Sequence, residues 1–267
     1  MAAIGFIGMG NMGYALMKGL LEDFDSDEIL FSCLTEEKKK RVTEECEVRS
    51  VPSNGELAHA CKYLILAVKP QVYEEVLNEI SPYVHPDTVI FSLAPGKSTE
   101  YIKSILGSSI RVVRAMPNTP ALIGCGMSGV AYDESEFDRE EISFIDRLFS
   151  SVGKYKKVPE EAMSAVVCAS GSSPAYVYMF IEALARSCEE KGLPYDTALA
   201  LAAGAVSGAA EMVLKSGEDP EILKQRVCSK GGTTIAGISA LEENGFSNAI
   251  REATQACYIR SEELGKQ

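Results

Sequence analysis

The chain has 267 residues, 46% of them hydrophobic and 24% charged, enough apolar material for one large domain or two moderate ones. A formal net charge of -12 repels phosphate backbones, and Lys and Arg gather into no long stripe, which argues against nucleic-acid binding. Eight scattered cysteines without a C-x-x-C pair, and only His59 and His85, argue against a disulfide framework or a multi-histidine metal site, and for reduced thiols in a cytoplasmic protein.

The first apolar run, Ala3-Ile4-Gly5-Phe6-Ile7, ends at Gly8-Met9-Gly10-Asn11-Met12-Gly13, and Tyr14–Leu21 follows with helical spacing. Strand, glycine turn and helix in that order are the setting a dinucleotide fingerprint requires. Gly8 permits the tight turn, Gly10 lets a pyrophosphate approach the backbone, and Gly13 lets helix and strand pack closely. The helix start then offers free N–H groups to phosphate. A motif starting at Gly8 leaves no room for a cleavable leader, so none is expected.

Ile29-Leu30-Phe31-Ser32 reads as the second strand, and its end should meet the adenine ribose. An NAD-preferring site usually places Asp or Glu there, whereas this strand ends Ser32-Cys33-Leu34-Thr35, with Lys38-Lys39-Lys40-Arg41 following. That pattern favours NADPH, with NADH as the alternative. The bland reading of the basic run is a solvated helix face. Tyr63–Val68, Thr88–Ala94 and Ile110–Ala115 are continuous apolar runs, as expected of parallel strands covered on both faces. They end at Lys69-Pro70, Pro95-Gly96 and Met116-Pro117-Asn118-Thr119-Pro120, and Gln71–Ile80 and Ser98–Leu106 read as helices between them. Ligands of open α/β sheets sit at such strand ends.

From about Glu160 the strand runs vanish. Val177, Phe180, Ile181, Leu184 and Cys188 follow helical spacing, and Gly192-Leu193-Pro194 stops that helix. Thr197–Lys215 is rich in Ala and Gly, with Gly204 and Gly208 four residues apart, a pattern that suits an intersubunit helix bundle. Two stretches, Ala162–Ile181 and Ala115–Tyr132, lack charge for about a membrane span. The first is interrupted by Gly171-Ser172-Ser173-Pro174 and the second is full of Gly, Pro and Asn, so neither reads as a spanning helix. Ser229-Lys230-Gly231-Gly232-Thr233-Thr234 precedes a helical run, Ile235–Glu243, that Asn244-Gly245 ends. Glycines and threonines at a helix start suit a carboxylate, or form a plain cap.

Together these residues resemble pyrroline-5-carboxylate reductase. The matching pieces are Phe6–Gly13, Ala67–Gln71, Val113–Pro120, Ser170–Tyr176 and Gly231–Gly237, in order from residue 4 to about 260. The resemblance implies an α/β N-terminal Rossmann-like doubly wound sheet over 1–159, followed by an all-α C-terminal dimerisation and substrate-binding domain over 160–267. It implies reduction of 1-pyrroline-5-carboxylate to L-proline, by a dimer or higher oligomer. Carried across by motif, Gly8, Met9, Gly10, Asn11, Met12, Gly13 and Ser32 would face the cofactor's phosphates and ribose. Asn54, Ala67, Val68, Lys69, Pro70 and Ala94 would line its cleft, and Met116, Pro117 and Asn118 would lie near the nicotinamide. Lys230, Gly231, Gly232, Thr233 and Thr234 would bind substrate, with the Thr234 hydroxyl as the catalytic contact to the ring nitrogen. The sequence departs from the family at Lys230, where Pro is usual, and at Pro95, where Ala is more common.

Two other readings stay open on the residues alone. A β-hydroxyacid dehydrogenase shares the Gly8–Gly13 pattern but needs a lysine acid/base, and Ala162–Ile181 contains none. A non-enzymatic NADP-binding redox sensor would use its helices only to oligomerise.

Overall fold

The computed structural model describes residues 4–265; Ala3, at the start of the expected first strand, lies outside the described residues. The chain alternates strand and helix through β1 (Ile4–Ile7), α1 (Asn11–Leu20), β2 (Ile29–Ser32), α2 (Glu36–Cys46), β3 (Arg49–Ser50) and α3 (Asn54–Ala60). It continues through β4 (Tyr63–Leu66), α4 (Tyr73–Ile80), β5 (Val89–Ser92), α5 (Thr99–Leu106) and β6 (Arg111–Met116), then β7 (Gly126–Ala131), α6 (Arg139–Ser150) and β8 (Gly153–Lys157). The sheet order is β3-β2-β1-β4-β5-β6-β7-β8, parallel from β3 to β6, with β7 antiparallel to β6 and parallel to β8.

Burial explains why the apolar runs become strands. Every residue of β1, β2, β4 and β5 is buried, because helices cover both sheet faces. On one face Tyr63 and Phe144 stack with centroids 3.8 Å apart, and Phe91 meets Phe144 edge-on at 5.6 Å. On the other, Leu57, Leu77, Ile80, Ile102 and Ile90 form a second core from α3, α4, α5 and β5. Each such fully buried side chain contributes roughly 1.5–3 kcal/mol. Tyr73 is wholly buried, yet its hydroxyl is satisfied by the Leu66 carbonyl at 3.1 Å and Ser92 Oγ at 3.0 Å. Burial pushes that phenol up to about 12, so it stays a neutral strut.

The register fixes the functional edge. Ile7 pairs with Ser32 on one side and Leu66 on the other, and Leu66 pairs with Ser92. The residues that follow, Gly8, Cys33, Ala67 and Leu93, therefore all leave the sheet along one carboxyl-end crest.

Three strands were not expected. β3 has only two residues, β7 carries glycines at both Gly126 and Gly129, and β8 is Gly153-Lys154-Tyr155-Lys156-Lys157. The lysines of β8 suit a sheet edge, where charge discourages pairing with another chain, and they hide the strand from a search for apolar runs.

At the amino end of α6, Asp138 and Glu141 form a reciprocal capping box. The Glu141 carboxylate is buried and pairs with Arg111 at 2.5 Å and Lys62 at 3.1 Å, tying α6 to β6 and β4. Removing one partner of a buried pair costs about 3–5 kcal/mol, and both cations here can turn partly to water. Glu141→Ala should therefore lower unfolding free energy by about 3 kcal/mol. Denaturant titration checks this, and a loss within experimental scatter would show that the cluster is not stabilising.

The second half is helical, as expected. It contains α7 (Met163–Val166), a π-helical turn at Val167–Gly171, α8 (Ser173–Glu189), α9 (Tyr195–Ser216), α10 (Pro220–Arg226), α11 (Thr233–Glu243) and α12 (Phe246–Gly265). Gly171-Ser172-Ser173-Pro174 does not break the helix; this corrects the expected interruption. The wide turn absorbs the segment, with Ser172 N–H bonded to the Val167 carbonyl at 2.8 Å, and Pro174 sits in the first turn of α8, where its missing N–H costs nothing. Consequently Glu160–Glu189 and Tyr195–Ser216 are both long and apolar enough to cross a membrane by length and composition.

The chain forms two compact units. One runs to Ser172 and takes back the chain from Cys257 onward, whereas the other is Ser173–Ala256. Within the second unit α8 and α9 pack along Ala185, Ala198 and Ala202, and Phe180 meets Phe246 edge-on. Much apolar surface stays outside, including Met179, Leu201, Leu214 and Val227. A methyl group built on Gly204 or Gly208 would meet nothing within 4 Å, so no element among the described residues uses the close approach those glycines permit.

Candidate functional site

The first unit carries a glycine-lined turn at the carboxyl-end crest of its sheet. Gly8 has φ +93°, a conformation that L side chains rarely adopt, and a Cβ there would stand 2.8 Å from Val68 Cγ1 and 2.9 Å from the Ala67 carbonyl oxygen. Its N–H donates to the Ser32 carbonyl at 2.9 Å, while Ala67 N–H donates to the Ile7 carbonyl at 2.9 Å, so the three strand ends are laced together. Met9 is buried and serves the core; only its backbone belongs to the turn. Gly10 is the N-cap of α1 and supplies no side-chain cap. The first intrahelical bond runs from Tyr14 N–H to the Gly10 carbonyl, leaving the Asn11, Met12 and Gly13 N–H groups without helical partners. A Cβ on Gly10 would meet nothing within 4 Å, so the backbone at this helix start is open to the approach of an anion.

The second strand end is more elaborate than the sequence suggests. Ser32 is buried, and its hydroxyl donates to Asn54 Oδ1 at 2.6 Å. Asn54 in turn is gripped by the Glu79 carboxylate, which accepts from its Nδ2 at 2.6 Å and its backbone N–H at 3.2 Å. Glu79, on α4, was not anticipated. The basic run lies on α2 as a solvated face, where Lys39 pairs with Glu36, Lys40 with Glu44 and Arg41 with Glu45. Leu34, between β2 and α2, is 99% exposed.

Beyond β4, Val68 is half-buried, Lys69 is exposed, and Pro70 opens a short 3-10 turn. Ala94 is buried just past β5. Met116, Pro117 and Asn118 are also buried. The side chain of Asn118 is held at both ends: Nδ2 donates to the Ser170 carbonyl at 3.0 Å, and Oδ1 accepts from Met127 N–H at 2.9 Å. It ties the end of β6 to the π-helical turn and so fixes that corner of the carboxyl-end crest through the backbone. Glu160 reinforces this corner by accepting from Thr99 N–H at 2.7 Å and Arg114 at 2.9 Å. Burial alone would raise that carboxyl, but these donors hold it below its ordinary value.

The second unit carries the other candidate loop. Gly232 N–H donates to the Ser229 carbonyl at 2.9 Å, and Gly231 has φ +73°. Ser229–Gly232 is therefore a type II turn with Lys230 at the position where proline is favoured. Gly232 caps α11 without a side-chain bond, and Thr233 and Thr234 in the first turn are exposed. Their N–H groups have no helical partner, and Lys230 is exposed beside them. Because Lys230 donates no backbone hydrogen bond among those described, Lys230→Pro should be tolerated and should stabilise the fold by about 0.4–1 kcal/mol by restricting the unfolded chain. Thermal unfolding checks this; a lower Tm would mean the turn is not preset for proline.

Comparison with known proteins places both halves. Residues 160–264 match the family model described as pyrroline-5-carboxylate reductase dimerisation, and residues 3–96 match that of NADP oxidoreductase, coenzyme F420-dependent. The chain is 38% identical over 265 residues to the pyrroline-5-carboxylate reductase of Escherichia coli, covering 98% of each. Among solved structures, a pyrroline-5-carboxylate reductase from Coxiella burnetii superposes with TM-score 0.90 at 32% identity, covering 100% of this chain and 99% of that one. The Plasmodium falciparum pyrroline carboxylate reductase, solved with NADP bound, gives TM-score 0.88 at 29% identity, covering 99% and 98%.

Proposed function

The chain belongs to the pyrroline-5-carboxylate reductase family, and from that premise we propose how its residues share the reduction of 1-pyrroline-5-carboxylate to L-proline. The observation that carries the assignment is a pair of glycine-led helix starts, at α1 and α11, each presenting unpaired N–H groups with no side-chain cap. One suits a pyrophosphate and the other a carboxylate.

The cofactor is NADP(H), and when bound it supplies the hydride. The residues fit it: Gly8 allows the turn, Gly10 leaves the approach open, and the Asn11, Met12 and Gly13 N–H groups point to where the phosphates would lie. Ser32 and Asn54 meet the adenine ribose. Ala67, Val68, Lys69, Pro70 and Ala94 line the cleft, and Met116 and Pro117 flank the nicotinamide, with Asn118 holding that corner in place. In the substrate loop, Gly231 and Gly232 shape the backbone, and the Thr233 and Thr234 N–H groups hold the carboxylate. Lys230 adds a nearby positive charge. The Thr234 hydroxyl accepts a hydrogen bond from the protonated ring nitrogen. A protonated cyclic imine is already electrophilic, so orientation and charge placement suffice, and no histidine or lysine acid is needed.

A β-hydroxyacid dehydrogenase is disfavoured because Ala162–Ile181 holds no lysine. Steady-state assays of the purified protein with NADPH and NADH, against pyrroline-5-carboxylate and a panel of 3-oxo acids, test the reading. Turnover of the imino acid alone supports it, whereas turnover of a 3-oxo acid alone overturns it.

The chain self-associates through its dimerisation segment. We further propose that the apolar faces of α8 and α9, with Gly204 and Gly208, are covered by a second copy in a cytoplasmic dimer or larger oligomer. The match of residues 160–264 to a dimerisation model supports this reading over a membrane one.

A further inference from the structure

We propose that Glu79 is a positioning residue for the cofactor, acting through Asn54 to fix the direction in which the Ser32 hydroxyl donates. A carboxylate only accepts hydrogen bonds, and Glu79 takes both N–H groups that Asn54 offers on that side, the backbone at 3.2 Å and Nδ2 at 2.6 Å. The amide is thereby locked in one of its two flips, with Oδ1 turned away from Glu79 and toward Ser32. Oδ1 only accepts, so the Ser32 proton is committed to it along the 2.6 Å bond. What Ser32 has left to offer a ligand is a pair of oxygen lone pairs. A ribose hydroxyl donates to such a group, whereas a phosphate oxygen, itself an acceptor, does not. The chain of residues thus selects a ribose hydroxyl as the partner of Ser32 and leaves any phosphate on that ribose to cationic and backbone donors.

Three elements contribute one member each. Ser32 ends β2, Asn54 begins α3, and Glu79 lies in the last turn of α4. Glu79 is exposed and has no cation partner among the described ion pairs, so its two bonds to Asn54 are its structural tie. Removing it would free the Asn54 amide to flip. Nδ2 could then face Ser32 as a second donor, and the hydroxyl proton would compete with the ribose for the space between them.

The inference rests on Ser32 and Asn54 facing the cofactor ribose. Ser32→Ala and Asn54→Ala test that first: each should raise the KM for NADPH several-fold. If neither does, the ribose assignment falls and the role of Glu79 falls with it. With that effect in hand, Glu79→Ala and Glu79→Gln should raise the KM for NADPH about three- to tenfold, the range expected for one misdirected hydrogen bond. The kcat at saturating cofactor and the KM for pyrroline-5-carboxylate should stay within twofold. The Ser32→Ala/Glu79→Ala double variant should show no more than the Ser32→Ala effect, because Glu79 has nothing left to orient. A merely structural Glu79 would instead lower Tm, spread across both KM values and add in full to Ser32→Ala. Either that additivity or an unchanged cofactor KM in the Glu79 variants overturns the proposal, even with the ribose assignment intact.

Discussion

Thr234→Ala should lower kcat by about 10²-fold while leaving NADPH affinity within twofold, because it removes one oriented contact at the reacting nitrogen and nothing at the nucleotide edge. The position makes this a clean experiment. Thr234 lies in the first turn of α11, with Gly232 as N-cap, and is exposed within the chain. Alanine has a better helix propensity than threonine, and no side-chain bond caps this helix, so the fold should not suffer. The backbone N–H groups that we assign to the carboxylate survive the change, so the KM for the imino acid should move less than kcat. Thr234→Ser, which keeps the oxygen, should recover most of the rate. Single-turnover kinetics with preloaded NADPH isolates the hydride step. A wild-type rate in the alanine variant would remove Thr234 from the chemistry.

The nucleotide half was readable in the sequence because its signals are local. Gly8 and Gly13 each answer to a backbone or packing requirement that a single turn imposes, and a buried parallel strand announces itself as an unbroken apolar run. The strands that escaped notice lack such a run. β7 owes its place to pairing with β6, and β8 is mostly lysine because it forms the sheet edge. The π-helical turn at Val167–Gly171 escaped for a related reason: Gly-Ser-Ser-Pro looks like a break when read residue by residue, yet the helix widens by one residue and carries on.

Side-chain partnerships across distant elements were the least legible. Glu79 stands 25 residues from Asn54, and nothing in the Leu77-Asn78-Glu79-Ile80 segment marks it off from any solvated helical glutamate. Asn118 follows the end of β6 as its sequence suggests, but its partners Ser170 and Met127 lie on other elements, and only folding reveals that its amide is engaged at both ends. The Ser229–Gly232 turn shows the opposite case. Gly231 needs φ +73° and Lys230 precedes it in a type II turn, which gives a backbone reason for proline at that position in the wider family.

Gly13→Ala should weaken cofactor binding at least 100-fold and also destabilise the first unit, whereas Gly10→Ala should harm binding alone. The two glycines lie three residues apart but meet different constraints. A Cβ on Gly13 would be driven into the Gly8 carbonyl oxygen and to 2.9 Å from Ala67 Cβ. Both obstacles are backbone or Cβ atoms at strand ends, which cannot swing aside like a long side chain. Relief requires α1 to move away from the ends of β1 and β4, which costs on the order of 1–3 kcal/mol in packing and displaces the three N–H donors from the pyrophosphate position. A loss of at least 100-fold in NADPH affinity, with Tm lowered by several degrees, is the expected outcome. Gly10 has φ -78°, which alanine adopts freely, and its Cβ would enter open space. That space is where the phosphates should lie, so Gly10→Ala should keep the wild-type Tm and still weaken NADPH binding at least tenfold. Calorimetric titration beside thermal unfolding separates the two variants. Undiminished binding in Gly10→Ala would mean that the pyrophosphate does not cross this turn, and the nucleotide site would have to be sought elsewhere on the sheet.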